Sequence, residues 1–191
     1  MTKRLTISSL FGASALMLLL ACGGGGGGSK GPAVATGLSY TDPTSGTFQL
    51  KKNATLSTAT KLVLDLVAVN AGSGAGAAFH LTADTNKVTW TKVQDSDADY
   101  VRNGAVFDLG SAPQALKAKV SGNILQVVVS QKGTANSQPL NGTLATVALS
   151  LKSGVTVGAV TLDVVSGKAQ VLMSTGATDS MTITKGTLAA Q

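Results

Sequence analysis

No glutamate occurs in the 191 residues, and all nine acidic side chains are Asp. Glu is a good helix former, whereas Thr and Val suit a pleated, half-buried surface. A chain without Glu but rich in Thr, Ser, Val, Ala and Gly is therefore expected to be all-β. Cysteine is reduced to Cys22, which excludes an intramolecular disulfide and a cysteine-based zinc cage. Histidine is reduced to His80, and there is no GxSxG elbow to accompany it. Aromatic residues make up 4% of the chain, too few for a long array of exposed planar rings. Beyond Lys3-Arg4, Arg102 is the only arginine, and the lysines are scattered apart from Lys51-Lys52 and Lys117/Lys119. Nucleic-acid binders cluster such charge and rely on Arg, so no nucleic-acid partner is expected.

What the chain does have begins at the N-terminus. Lys3-Arg4 form a positive n-region, Leu5 to Leu20 carry no charge, and small Ala21 precedes Cys22. That is the anatomy of an export signal, and the apolar run is short for a bilayer-spanning helix. The tetrad Leu19-Leu20-Ala21-Cys22 resembles the bacterial lipobox. The resemblance implies that the Cys22 thiol receives a diacylglyceryl group before cleavage ahead of it. Acyl chains at about 0.8 kcal/mol per buried CH₂ form a stable anchor once more than one is present. Gly23, rather than Asp, follows the cysteine, which by resemblance to enterobacterial sorting implies the outer membrane.

The expected organisation is therefore a removed signal (1–21), a lipidated Cys22 with a flexible linker (22–37), and one folded domain (38–191). Six consecutive glycines open the linker. A Gly-rich chain of that length spans about 20 Å, from roughly 5–6 Å × √n.

Period-two alternation recurs through the rest of the chain, between Gly, Asn, Asp, Ser and Pro. Leu62, Leu64 and Leu66 share one face of their run; Leu125, Val127 and Val129 do so in NILQVVVSQ; Ala145, Val147, Leu149 and Leu151 do so in LATVALSLK. GAVTLDVV is read as one further strand with Val160, Leu162 and Val164 inward. Other candidates are 47–51, 77–84, 87–93, 115–120, 168–173 and 180–184, with Ser111 to Lys119 ambiguous between strand and helix. Ser121-Gly122-Asn123 and Ser166-Gly167 both read as hairpin turns. About nine or ten short strands in one domain predict a β-sandwich.

Three stretches, 62–93, 120–131 and 140–176, resemble cohesin-like domains, jelly-roll sandwiches related to some carbohydrate-binding modules. The corner Ala83-Asp84-Thr85 and the late strand Gly142-Thr143-Leu144-Ala145 carry the likeness, although the family's Tyr and Pro are missing at the corner. The resemblance implies a non-enzymatic module that binds an exported protein, for which a dockerin-like module is one form. A polysaccharide partner is the alternative on the same fold.

Individual residues offer weaker candidates. Asp95, Asp97 and Asp99 alternate as calcium ligands do, but Tyr100 and Val106 stand where an EF-hand loop needs Gly and Glu. A solvated acidic loop is the expectation, and apart from the covalent lipid no cofactor is expected. His80, mid-strand and opposite Phe79 and Leu81 in facing, is expected to be structural or at the surface, with no catalytic site. Trp90 shares a face with Val88 and is expected in the core. Tyr40 and Tyr100 remain as ring candidates for a ligand, with Tyr100 expected to be exposed.

Overall fold

The computed structural model describes residues 31–107, 114–131 and 136–191. The export signal, Cys22, the glycine run and Ser111 to Pro113 lie outside them. The first half of the chain supplies β1 (Leu38–Thr41), β2 (Phe48–Lys52), β3 (Lys61–Ala68), β4 (Ser73–Gly74), β5 (Gly76–Ala83), β6 (Val88–Thr91) and β7 (Val101–Asn103). A 3-10 turn at Ala105–Phe107 follows. The second half adds β8 (Gln114–Ser121), β9 (Ile124–Gln131), β10 (Gln138–Pro139), β11 (Gly142–Leu151) and β12 (Gly158–Val160). It ends with β13 (Leu162–Leu172), β14 (Thr178–Ser180), β15 (Ile183–Thr184) and β16 (Thr187–Ala190).

Two main sheets face each other. Sheet A has the order β15-β2-β3-β11-β6, with β7 also paired to β11. Sheet B has the order β14-β13-β5-β9-β8. Two smaller sheets, β1-β16-β12 and β10-β4, complete the pairing. The alternating apolar residues of both inner faces merge into one core: Leu50, Leu62, Leu64, Leu66, Val147 and Leu149 from sheet A against Phe79, Leu81, Leu125, Val127 and Val129 from sheet B. Burial of each such side chain stabilises the fold by roughly 1.5–3 kcal/mol. Trp90 joins them at 5% exposure and donates its Nε1–H to the Asn123 carbonyl at 3.1 Å.

The fold is the expected all-β sandwich, but its strands are more broken than their periodicity indicates. Thr161 divides GAVTLDVV: Val160 belongs to β12, which pairs with β16, while Leu162 opens β13 in sheet B. Alternation continues across such a switch because both sheets border the same core. Ser166-Gly167 is not a hairpin turn. It lies in a bulge within β13, which pairs with β5 both before it (Leu162 to Val164) and after it (Ala169 to Leu172). Gly167 takes a φ of 67°, the left-handed conformation that glycine adopts without steric cost. β1, β7 and β16 were not foreseen; each is only three or four residues long, too short for a clear period. Ser121-Gly122-Asn123 does form the β8–β9 hairpin, with Gly122 at φ 60°.

A second bulge, in β11, lies between Thr143 and Ala145, and it lets consecutive Leu144 and Ala145 both be buried. Gly104 donates its N–H to Leu144 O there at 2.9 Å, and a Cβ at Gly104 would fall on the Thr143 carbonyl.

The folded unit also begins before Leu38, at Pro32. Val34 forms a bridge with Thr156, Ala35 N–H donates to Val155 O, and Thr36 and Gly37 N–H both donate to Gln191 O. Residues 32–37 are therefore pinned to the sandwich rather than being part of a slack tether.

Candidate functional site

The outer faces of the two sheets differ. On sheet A the outward residues Val63 and Ala148 are fully buried, because Val93 from the β6–β7 loop and Leu56 from the β2–β3 loop pack over them. Beside this patch, Asp65 accepts hydrogen bonds from Thr146 Oγ1 at 2.7 Å and Asn53 Nδ2 at 3.0 Å. Arg102, outward on β7, is held by the same β6–β7 loop. Loops thus cover much of this face.

Among the described residues, none packs over the β5–β9–β8 portion of sheet B in this way. Register places Lys117, Val128, Ala78, Gln170 and Ser180 in one row across all five strands. Lys119, Gln126 and His80 form the next row, ending against the β13 bulge. Lys117 and Lys119 are exposed, His80 and Gln126 half-buried, and Val128 is 39% exposed. Together with Ala118 and Asp99 these residues line an open depression of about 430 Å³. Among the described residues no Phe, Tyr or Trp lines it. At its rim both Asp99 carboxylate oxygens accept the Ala118 N–H at 3.1 Å, and Oδ1 also accepts Tyr100 N–H at 2.7 Å. The β6–β7 loop therefore reaches from sheet A to close part of the β8 edge.

No protein-family model matches the chain, and no curated protein matches it. Solved structures do. A type II cohesin from Acetivibrio cellulolyticus, in complex with an X-dockerin, superposes with a TM-score of 0.55 at 11% identity, covering 77% of this chain and 95% of that one. Another type II cohesin, from the cellulosome of the same organism, gives 0.53 at 8% identity, covering 73% and 91%. Type II cohesin A11 from Bacteroides cellulosolvens gives 0.51 at 13% identity, covering 74% and 95%. The fold is cohesin-like.

Within this cohesin-like sandwich, the residues singled out from sequence are dispersed. Asp97 receives Arg102 Nε on both oxygens at 2.9 Å and Nη2 at 2.6 Å, and also accepts the Gln94 N–H at 2.7 Å. Asp99 faces β8, and Asp95 is exposed. Asp97 and Asp99 are committed separately, and no cluster of three or more metal-ligating side chains forms among the described residues. Tyr100 is half-buried against the core rather than exposed. Tyr40 is half-buried too; its hydroxyl donates to Leu50 O at 2.9 Å and accepts Gly186 N–H at 2.7 Å. Burial pushes its phenol above the usual range, although the Gly186 N–H opposes that shift. Neither tyrosine presents a free ring on the open face. His80 lies on that face, with no hydrogen-bonded serine or aspartate among the described residues.

The Arg102 hydrogen bonds hold the Asp97 carboxyl below its ordinary value, aided by the Gln94 N–H. A carboxylate with a lowered folded-state pKa contributes stability above the unfolded value near 3.9, and loses it as pH falls through the lower folded one. Asp97→Asn is therefore expected to flatten the acid limb of a melting-temperature profile below about pH 4. Solvent screening limits the effect to about 1 kcal/mol or less. An unchanged acid limb would count against the pair.

The open face itself was not foreseen as a site. Its signal was present in NILQVVVSQ: if Leu125, Val127 and Val129 point inward, then Gln126, Val128 and Ser130 point outward, with an apolar Val128 among polar neighbours. What alternation could not supply was which sheet would be left uncovered.

Proposed function

We propose that the cohesin-like domain is a non-enzymatic docking module, which holds another exported protein at the bacterial envelope through the outer face of sheet B. The observation that supports this is the contrast between the faces. Sheet A is covered by Val93 and Leu56, whereas sheet B presents small, polar and aliphatic side chains around Val128. Such a face suits a protein surface, since sugar binding draws on exposed rings, and Trp90, Tyr40 and Tyr100 all pack against the core. The cohesin neighbour in complex with an X-dockerin makes a dockerin-like module one candidate partner. Lipid attachment at Cys22 places the module on the membrane, and Gly23 favours the outer membrane.

The test uses the full chain as bait against an extract of its own envelope, alongside a glycan array. Wild type is expected to capture a discrete protein, and Val128→Asp to lose it, because a charge is introduced at the centre of the contact. Val128 is 39% exposed, so the substitution leaves the fold intact. Glycan binding without a protein partner, or capture indifferent to Val128→Asp, would overturn the proposal.

A further inference from the structure

Lys117 and Lys119 sit side by side on the outward lane of β8, opposite Val128 and Gln126. Both are exposed, and neither has an ion-pair or hydrogen-bond partner among the described residues. Residues two apart on a strand lie about 6.6–6.8 Å apart along it. Asp99, which lines the same depression, is engaged by the Ala118 and Tyr100 N–H groups and forms no ion pair with either lysine. Among the described residues the depression therefore carries two ammonium groups without an ion-pair partner beside one apolar side chain, with the hydrogen-bonded Asp99 carboxylate at its rim. Were the export signal removed, the chain would also keep a positive balance, 13 basic residues against 9 acidic. A second copy of this chain would set lysine against lysine there.

The mode of approach is constrained as well. Asp99 occupies the Ala118 N–H, so a partner strand cannot extend sheet B across that part of the β8 edge. A partner must lie on the face. A helix presents side chains three or four residues apart with Cβ atoms about 5–6 Å from each other, which suits the lysine spacing. We propose that Lys117 and Lys119 recognise an acidic helix of the docked protein, its paired carboxylates over the two ammonium groups and an apolar residue over Val128. This rests on the docking role assigned to sheet B and specifies the chemistry of its partner. Interfacial charge of this kind sets partner choice and association rate more than total affinity.

The probe is a fluorescently labelled helical peptide with Glu pairs four residues apart flanking Leu, titrated into the full chain by anisotropy. Binding is expected, weakening steeply as salt rises, whereas the same peptide with Lys for Glu does not bind. Lys117→Glu/Lys119→Glu is expected to weaken the acidic peptide by about tenfold or more. Lys117→Gln/Lys119→Gln provides the milder variant with no reversed charge. Equal binding of both peptides, binding indifferent to both lysine variants, or preference for a single-stranded oligonucleotide would each overturn the inference. Envelope capture separates the two levels. Capture lost in Val128→Asp but unchanged in the lysine variants overturns acidic recognition and leaves the docking face standing. Capture unchanged in all of them overturns the face itself.

Discussion

Phe79→Ala is expected to destabilise the sandwich by about 3–5 kcal/mol, measured as the change in unfolding free energy in denaturant. Phe79 lies on β5, the central strand of sheet B, and is fully buried. Its register partners are Val127 on one side and Ala169 on the other, both too small to fill the space left by the ring. The cost therefore includes the lost transfer energy and a cavity bordered by two sheets that cannot collapse independently. That is a large share of the 5–15 kcal/mol by which typical domains are stable. Val128→Ala, one residue along from Val127 but on the outward face, is the matched control and is expected to stay within about 0.5 kcal/mol of wild type. A loss below about 1 kcal/mol for Phe79→Ala would contradict the placement of the ring between the sheets.

Cys22→Ala is expected to abolish incorporation of a labelled fatty acid into the protein, an all-or-none change. Cys22 is the only thiol in the chain, so no second site can take over the thioether linkage. Each buried CH₂ contributes about 0.8 kcal/mol to membrane residence, and two or more chains hold a protein that a single chain would release. Fatty-acid labelling is a cleaner readout than fractionation, because an uncleaved apolar segment could itself keep the variant in the pellet. Label retained in Cys22→Ala, or absent from the wild type, would overturn lipidation at this residue.

The inward lanes were legible from sequence. Leu62, Leu64 and Leu66, like Leu125, Val127 and Val129, are buried as their alternation predicts. A strand has only two faces, so a strict period of two leaves one assignment once a core exists. The β8–β9 turn was legible for a related reason: Gly122 is a residue that tolerates positive φ between two alternating runs. Ser166-Gly167 shows the limit of that reasoning. The same dipeptide chemistry serves a hairpin or a bulge, and only the pairing of β13 with β5 on both sides of it distinguishes them. Tyr100 and Asp99 show another limit, since their partners come from the core and from β8 across the sandwich rather than from local sequence.

By itself the sequence determined the all-β class and the inward residues of the long strands, because each depends on neighbours a few positions away. Tertiary structure alone decided where β12 leaves β13, that residues 32–37 join the fold, and which sheet face is covered. Val93 and Leu56 are distant in sequence from Ala148, yet their packing closes sheet A and leaves Lys117, Lys119 and Val128 open on sheet B. Covering a face depends on where loops land after the strands have paired, and no local period encodes that.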